Sequence, residues 1–326
     1  MMLVYAGIDE AGYGPMLGPL CIACAAFTLQ QHDPASGAPD LWQLLDDAVC
    51  RSKRDARKRI AVDDSKKLKG PNTLRSTHPL IHLERAVLAF ACVALQQHPP
   101  PDDETLFHGL GIQPANHPWY KSATALPVAA DSRSLHIDIA RLDRALDAAA
   151  ARCGLLCARA IDAATFNTLL QRVGRKSAVN LHAAMRLVET VWRTWPTAHP
   201  RIIVDRHGGR THYLRELQIA FPEAQITVVA EEEECSRYRL QRDRSLLTVT
   251  FSARSESKHL PAALASMVAK YVRELHMLRL NRFFTGHLPE LKPTAGYVQD
   301  GRRYVRQIEP VMTRLGLPRH SLIRCR

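Results

Sequence analysis

Residues 3–8 (Leu-Val-Tyr-Ala-Gly-Ile) form an uncharged run that ends on two adjacent acids, Asp9 and Glu10, and then enters a turn carrying Gly12 and Gly14. A second uncharged run occupies residues 20–29. Uncharged runs of this length, bounded by glycine and proline, read as strands, and two of them joined by a turn read as a β-hairpin. Such an opening commits the chain to a sheet and places carboxylates where a core strand ends.

The remainder alternates helices with strands. Residues 78–95 carry Leu80, Leu83, Val87, Leu88 and Ala91 at helical spacing, and residues 179–192 place Ala184, Leu187, Val188 and Val191 on one face. Helices are also expected over 135–153 and 260–280, and strands over 155–161, 201–205, 225–230 and 246–251. Pro99, Pro100, Pro101, Gly109, Gly111, Pro114 and Pro118 break residues 96–121 into a loop or small insertion. A hairpin followed by alternating elements predicts an α/β or mixed-sheet fold.

Of 326 residues, 46% are hydrophobic and 23% charged, which excludes a disordered or fibrous chain. No run approaches 18 apolar residues, so no membrane span is expected. The start has no basic segment ahead of an apolar one and is not read as a signal peptide, which points to the cytoplasm. The eight cysteines are then expected as free thiols. Cys21 and Cys24 have zinc-knuckle spacing but lie inside a buried run, and Cys153 and Cys157 fall in an equally bland stretch. None is assigned a role.

Lysine and arginine exceed aspartate and glutamate by 12, and 9 of that excess lies in residues 250–326. Basic charge gathered in one segment suits a polyanion-binding surface. Asp205 closes the run Ile202-Ile203-Val204 just before Gly208 and Gly209, as Asp9 and Glu10 close the first strand. If the two strands are neighbours, three carboxylates converge at one sheet edge. Clustered carboxylates with open positions suit Mg²⁺ or Mn²⁺, and two such ions can hydrolyse a phosphodiester. Asp9 or Asp205 taken alone reads rather as an ordinary strand-end cap. His207 and His212 follow Asp205 and read as loop histidines, and Trp119 and Tyr120 as residues that pin a loop to the core.

The segment Gly7-Ile8-Asp9-Glu10-Ala11-Gly12-Tyr13-Gly14-Pro15 resembles the opening signature of the type 2 ribonucleases H, ribonuclease HII and its HIII relatives, and Asp64-Ser65-Lys66-Lys67-Leu68 matches their second signature. Val204-Asp205, Ile161-Asp162 with Asn167, residues 180–185, residues 265–270 and Gly296-Tyr297 follow in the family's order, from residue 3 to about 297. The resemblance implies a ribonuclease-H-like fold over residues 1–280, a central mixed sheet flanked by helices. It also implies a basic helical substrate-binding segment over 281–326, in a monomer. Asp9, Glu10, Asp205 and Glu256 would hold two Mg²⁺ or Mn²⁺ ions. Gly12, Tyr13, Gly14, Ser65, Lys66, Lys67, Lys270 and Tyr297 would contact an RNA–DNA hybrid or DNA with an embedded ribonucleotide. Hydrolysis would leave 3′-hydroxyl and 5′-phosphate ends.

The chain departs from the family at Glu256, where an aspartate is usual, and at Tyr13, where a basic residue is usual. Residues 69–160 are longer than the family's link and are expected as a surface insertion, with 231–245 as an extra excursion. Two other functions stay open: a nuclease of the same fold with different substrate choice, and a non-catalytic nucleic-acid-binding homologue.

Overall fold

The computed structural model describes residues 2–30, 32–33, 36–70 and 78–325. Strands β1 (Leu3–Ala11) and β2 (Leu20–Leu29) form the expected antiparallel hairpin, in register from Leu3 opposite Leu29 to Ala11 opposite Cys21. After helix α1 (Leu41–Leu44), the short parallel pair β3 (Val49–Cys50) and β4 (Ile60–Ala61), and one turn of helix α2 (Ser65–Leu68), come α3 (Ile81–Leu95), α4 (Asp103–Gly109) and α5 (Ser132–Ala148). Strand β5 (Ala151–Ile161), helices α6 (Ala163–Val173) and α7 (Lys176–Thr194), strand β6 (Arg201–Asp205) and helix α8 (Leu214–Ala220) follow. The chain continues through β7 (Gln225–Glu231), β8 (Cys235–Arg242), β9 (Ser245–Ser252), α9 (Leu260–His287) and α10 (Val298–Arg314).

The main sheet has the order β5-β2-β1-β6-β9-β8-β7. Strands β5, β2 and β1 are antiparallel, β6 and β9 run parallel to β1, and β8 and β7 continue as an antiparallel ribbon. A three-strand meander followed by two strands parallel to the first is the ribonuclease-H-like arrangement. Because β1, β6 and β9 point the same way, their C-terminal ends share one edge of the sheet. That edge receives Asp9, Glu10, Asp205 and the turn after β9.

Both sheet faces are covered, as the unbroken apolar runs of β1 and β2 require. One core lies between the sheet and α3, α5 and α9, and the other between the sheet and α6, α7 and α8. A third packs α10 on the C-terminal half of α9, with Trp119 and Tyr120 buried in it, as expected of loop anchors. Helix α9 crosses β1 at Gly7 with no room for a side chain. A Cβ there would stand 2.1 Å from Ala262 N and 2.3 Å from Pro261 C, both backbone atoms that cannot swing aside. Gly7→Ala is therefore expected to destabilise the fold by about 3 kcal/mol or more, the upper range of overpacking. An unchanged denaturation midpoint would contradict this packing.

Residues 69–160 are not the expected surface insertion. They contribute β5, which pairs with β2 along its whole length, and α3, most of whose residues are buried. Two buried carboxylates join this segment to α9. Glu84 accepts from the amides of Val128, Ala129 and Ala130 and from the Tyr271 hydroxyl, and Asp103 pairs with Arg279 inside the core. A buried acid is tolerable only when so satisfied, which makes the segment integral to the fold.

Residues 231–245 are likewise no excursion, since β8 within them pairs on both sides. The expected helix over 135–153 stops at Ala148, and the strand expected over 155–161 begins at Ala151, because pairing with β2 outweighs the helix preference of an alanine-rich stretch. Helix α4 was hidden in the presumed loop, where Asp102 caps it by accepting from the Thr105 amide at 2.8 Å. Helix α9 runs through the expected boundary at residue 280 without a break. Among the described residues no helix is long and apolar enough to cross a membrane.

Candidate active site

Asp9, the penultimate core residue of β1, is 8% exposed, and Glu10 beside it is half-buried. Adjacent strand residues point to opposite faces, and each acid is held from its own side. Ser266 of α9 lies beside Asp9 and Asn180 of α7 beside Glu10, and each favours the ionised form of its neighbour. Their carboxylates still reach one pocket because it lies at the edge of the sheet and opens to both faces. Asp205, at the end of the neighbouring strand β6, accepts from the Ser255 amide (3.2 Å) and hydroxyl (2.9 Å). The next residue, Glu256, sits in the one-turn helix Ser255–Ser257, entered through Arg254 in a left-handed conformation. Sequence reasoning placed all four acids here.

The pocket, of about 220 Å³, is lined by these acids and by Gly12, Tyr13, Gly14, Ser65, Lys66, Lys270 and Tyr297. Of the residues proposed from sequence, Lys67 alone stands outside it. Lys67 lies on the exposed side of α2 and pairs with Asp63 at 3.5 Å, because one turn of helix turns Lys66 and Lys67 in different directions. Lys270 reaches the pocket but is bound to Glu274 at 2.9 Å, which in turn holds Lys69 at 3.4 Å. Tyr13 and Tyr297 are exposed at 40% and 56% and present their rings at the rim. Cys21 and Cys24 are buried and free, and His212 is tied to Glu231 at 2.8 Å.

Three residues that sequence reasoning did not assign support the acids. Asp64 lines the pocket and caps α2 by accepting from the Lys66 amide at 2.8 Å, so that Lys66 is held facing the acids. Ser266 joins the Ser65 hydroxyl at 3.1 Å and thereby ties α2 to α9 behind Asp9. Asn180 is 1% exposed and steadies Glu10. All three lay in motifs already noted, and a position facing an acid was the missing signal.

The electrostatics set this pocket apart. Burial, and after it the charges of Glu10 and Asp205, hold the Asp9 carboxyl well above the ordinary range. Burial and the Asp205 charge push Glu10 up to about 7. Burial raises Asp205 and Glu256 as well, against the hydrogen bonds from Ser255 in the first case. Acids raised in this way have too little positive charge nearby. By contrast, in the larger groove of about 620 Å³ between α7 and α8, Glu216 pairs with Arg210 and Arg175, and Glu189 with Arg242.

As the side chains stand, no three His, Cys, Asp or Glu groups among the described residues are gathered as a metal shell requires. The donors themselves fit a hard divalent cation: four carboxylate groups, raised by burial and mutual repulsion, facing a solvent-open pocket.

The basic C-terminal quarter is less of a surface than its composition suggests. Arg273, Arg279 and Arg324 are 2–3% exposed, and Arg303 and Arg319 pair with Asp300 and Glu309.

Fold and site together define an α/β protein of ribonuclease-H-like topology with a carboxylate cluster at the edge shared by its parallel strands. No family model and no curated protein sequence matches the chain. Solved structures similar to it include ribonuclease HII of Archaeoglobus fulgidus in a complex with PCNA, at 16% identity over 99% of this chain and 95% of that one, with a TM-score of 0.44. A Bst ribonuclease HIII in complex with Mn²⁺ is 16% identical over 98% of this chain and 66% of that one, with a TM-score of 0.39. Ribonuclease H2 from Pyrococcus horikoshii is 15% identical over 98% and 92%, also at 0.39. At these values the fold assignment rests on strand order and register.

Proposed function

We propose that the chain is a metal-dependent endonuclease of the type 2 ribonuclease H kind, hydrolysing RNA in RNA–DNA hybrids or at ribonucleotides embedded in duplex DNA. The observation that carries this reading is the meeting of four carboxylates, a glycine-flanked turn and an exposed tyrosine in one pocket, from segments as distant as residues 9 and 297. An isolated strand-end cap does not draw in such company.

Asp9, Glu10, Asp205 and Glu256 would hold Mg²⁺ or Mn²⁺, two ions in the full site. Such ions supply Lewis-acid activation of water and of the scissile phosphodiester. The chain's own groups do the rest. Ser266, Asn180 and Ser255 fix the orientations of the acids, so the ligands need not reorganise during the reaction. Lys66 faces the pocket and offsets negative charge from acids and phosphate alike. Gly12 has a φ of +88°, and a side chain there would collide with Arg273 and Pro19 beneath the turn, whereas one at Gly14 would meet nothing, so the outer side of the turn is left open for backbone to read a ribose 2′-hydroxyl. The ring of Tyr297 offers a flat surface for the sugar next to the cleaved bond. Tyr13 supplies no cation at the turn, so phosphate contact there falls to Lys66.

The test is cleavage of three duplexes, with Mg²⁺ and with Mn²⁺: DNA with one ribonucleotide, a full RNA–DNA hybrid, and all-DNA. Hydrolysis of either of the first two, leaving a 5′-phosphate and an intact all-DNA control, is the expected result. Cleavage of all three points instead to a nuclease of different substrate choice, and binding without cleavage to a non-catalytic homologue.

A further inference from the structure

The Gly12–Pro15 turn rests on two buried arginines that have no carboxylate within ion-pair distance among the described residues. Arg273 of α9 donates to the carbonyls of Pro19 (3.2 Å), Leu17 (3.1 Å) and Ala295 (2.9 Å). Arg324, near the C-terminus, donates from one nitrogen to the carbonyls of Gly12 (2.5 Å) and Pro15. A guanidinium is rarely buried against neutral carbonyls alone, because desolvation is repaid only in part. Arg324 is 3% exposed, its Nε and Nη1 have no acceptor among the described residues, and its guanidinium carbon lies 5.1 Å from the Phe166 ring centroid. Fold stability alone accounts poorly for such a residue.

The strand-like tail that carries Arg324 is itself anchored. Leu17 and Ile323 bridge the turn to the tail, and the Arg324 amide donates to Met16 O at 2.9 Å. From the other side the Asn167 side-chain amide donates to the carbonyls of His320 (3.0 Å) and Ile323 (2.8 Å), and its oxygen accepts from the Cys325 amide at 2.7 Å. Asn167 belongs to α6, which starts beside the end of β5. The turn is thus gripped from below by a tail fastened to a helix on the far side of the sheet.

We propose that Arg324 is a positioning residue: clamping the carbonyls of Gly12 and Pro15, it sets the height of the turn over the carboxylate pocket and so the discrimination of ribose from deoxyribose. This rests on the reading of function given above. Positioning acts through geometry, and a displacement of about 1 Å at such a contact costs on the order of 100-fold in rate. The two guanidinium groups also make the floor of the turn positive, where a phosphodiester backbone would pass.

Hydrogen exchange and kinetics test the clamp together, in wild type, Arg324→Ala and Arg324→Lys. The Met16 and Leu17 amides bond to Gly296 O at 2.8 and 3.2 Å. In Arg324→Ala they are expected to exchange about tenfold faster, while the amides of β6 keep their protection, which separates a loosened turn from global destabilisation. On the single-ribonucleotide duplex kcat should fall about 30-fold with KM nearly unchanged, while the all-DNA duplex stays uncut. Arg324→Lys, keeping one donor to the same carbonyls, should recover most of the protection and of the rate. Unchanged exchange at the turn, or equal losses of protection throughout the sheet, overturns the clamp while the function stands. A wild-type chain inactive on ribonucleotide-containing duplexes overturns the function, and with it the role in discrimination, whatever the turn does.

Discussion

Asp9→Asn and Asp205→Asn are each expected to abolish hydrolysis, by about 10³-fold or more in kcat, or roughly 4 kcal/mol of transition-state stabilisation. Either change removes one ligand charge from a cluster whose members otherwise repel. The two effects have opposite signs, and that makes the prediction sharp. A carboxyl raised on folding favours the native state while protonated, and that contribution is lost as pH rises through the raised value. For Glu10 in the metal-free protein the loss falls between its ordinary value of 4.5 and about 7. Asp205→Asn relieves one of the charges that raise both Asp9 and Glu10, so that metal-free variant should melt at or above the wild-type temperature at pH 7 to 8. Added Mg²⁺ or Mn²⁺ should raise the melting temperature of the wild type and not of the variants, since only a native site that binds the ion gains stability from it. Near-normal turnover in either variant removes the four-carboxylate site from consideration.

Glu256 is expected to behave as a fourth ligand. Glu256→Gln should reduce activity by about 10²-fold or more, the effect of losing a charged ligand group. Glu256→Asp should retain part of the activity, or use Mg²⁺ better, by shortening the side chain to the length usual in the resembled family. The structural ground is the turn itself: Ser255 holds Asp205 through both its amide and its hydroxyl, which places the next residue at the pocket. Raised proton affinity at Glu256, from burial and then from Asp205 and Asp64, agrees with a carboxylate facing other carboxylates rather than solvent alone. Kinetics of the two variants over a series of Mg²⁺ and Mn²⁺ concentrations decide the matter. A fully active Gln variant would leave a three-carboxylate site.

The acids were legible in the sequence because the signal that marks them is local. An uncharged run that stops on a carboxylate beside glycines describes a strand end, and it identified β1 and β6 with their closing residues without reference to the rest of the chain. Strand pairing then carried those ends to one edge, as Ile8 opposite Val204 requires. Glu256 was found by its distance from a recognised helix segment, which fixed its position along the chain and not its direction.

What surrounds the acids was decided only in three dimensions. The Ser65–Ser266 contact joins residues 201 apart, and the Arg324–Gly12 contact residues 312 apart. No local pattern encodes such a pairing, because each partner alone is an ordinary serine, glycine or arginine. The same reason explains the misread segment 69–160. Proline and glycine in part of it resembled a surface loop, whereas β5 owes its strand form to β2 and Glu84 its burial to the amides of residues 128–130. Composition counted the C-terminal arginines as a basic surface, and packing turned Arg273 and Arg324 inward beneath the turn. The sequence by itself determined where the carboxylates stand along the strands, since that depends on neighbours in the chain. Tertiary structure decided which residues orient them, since that depends on neighbours in space.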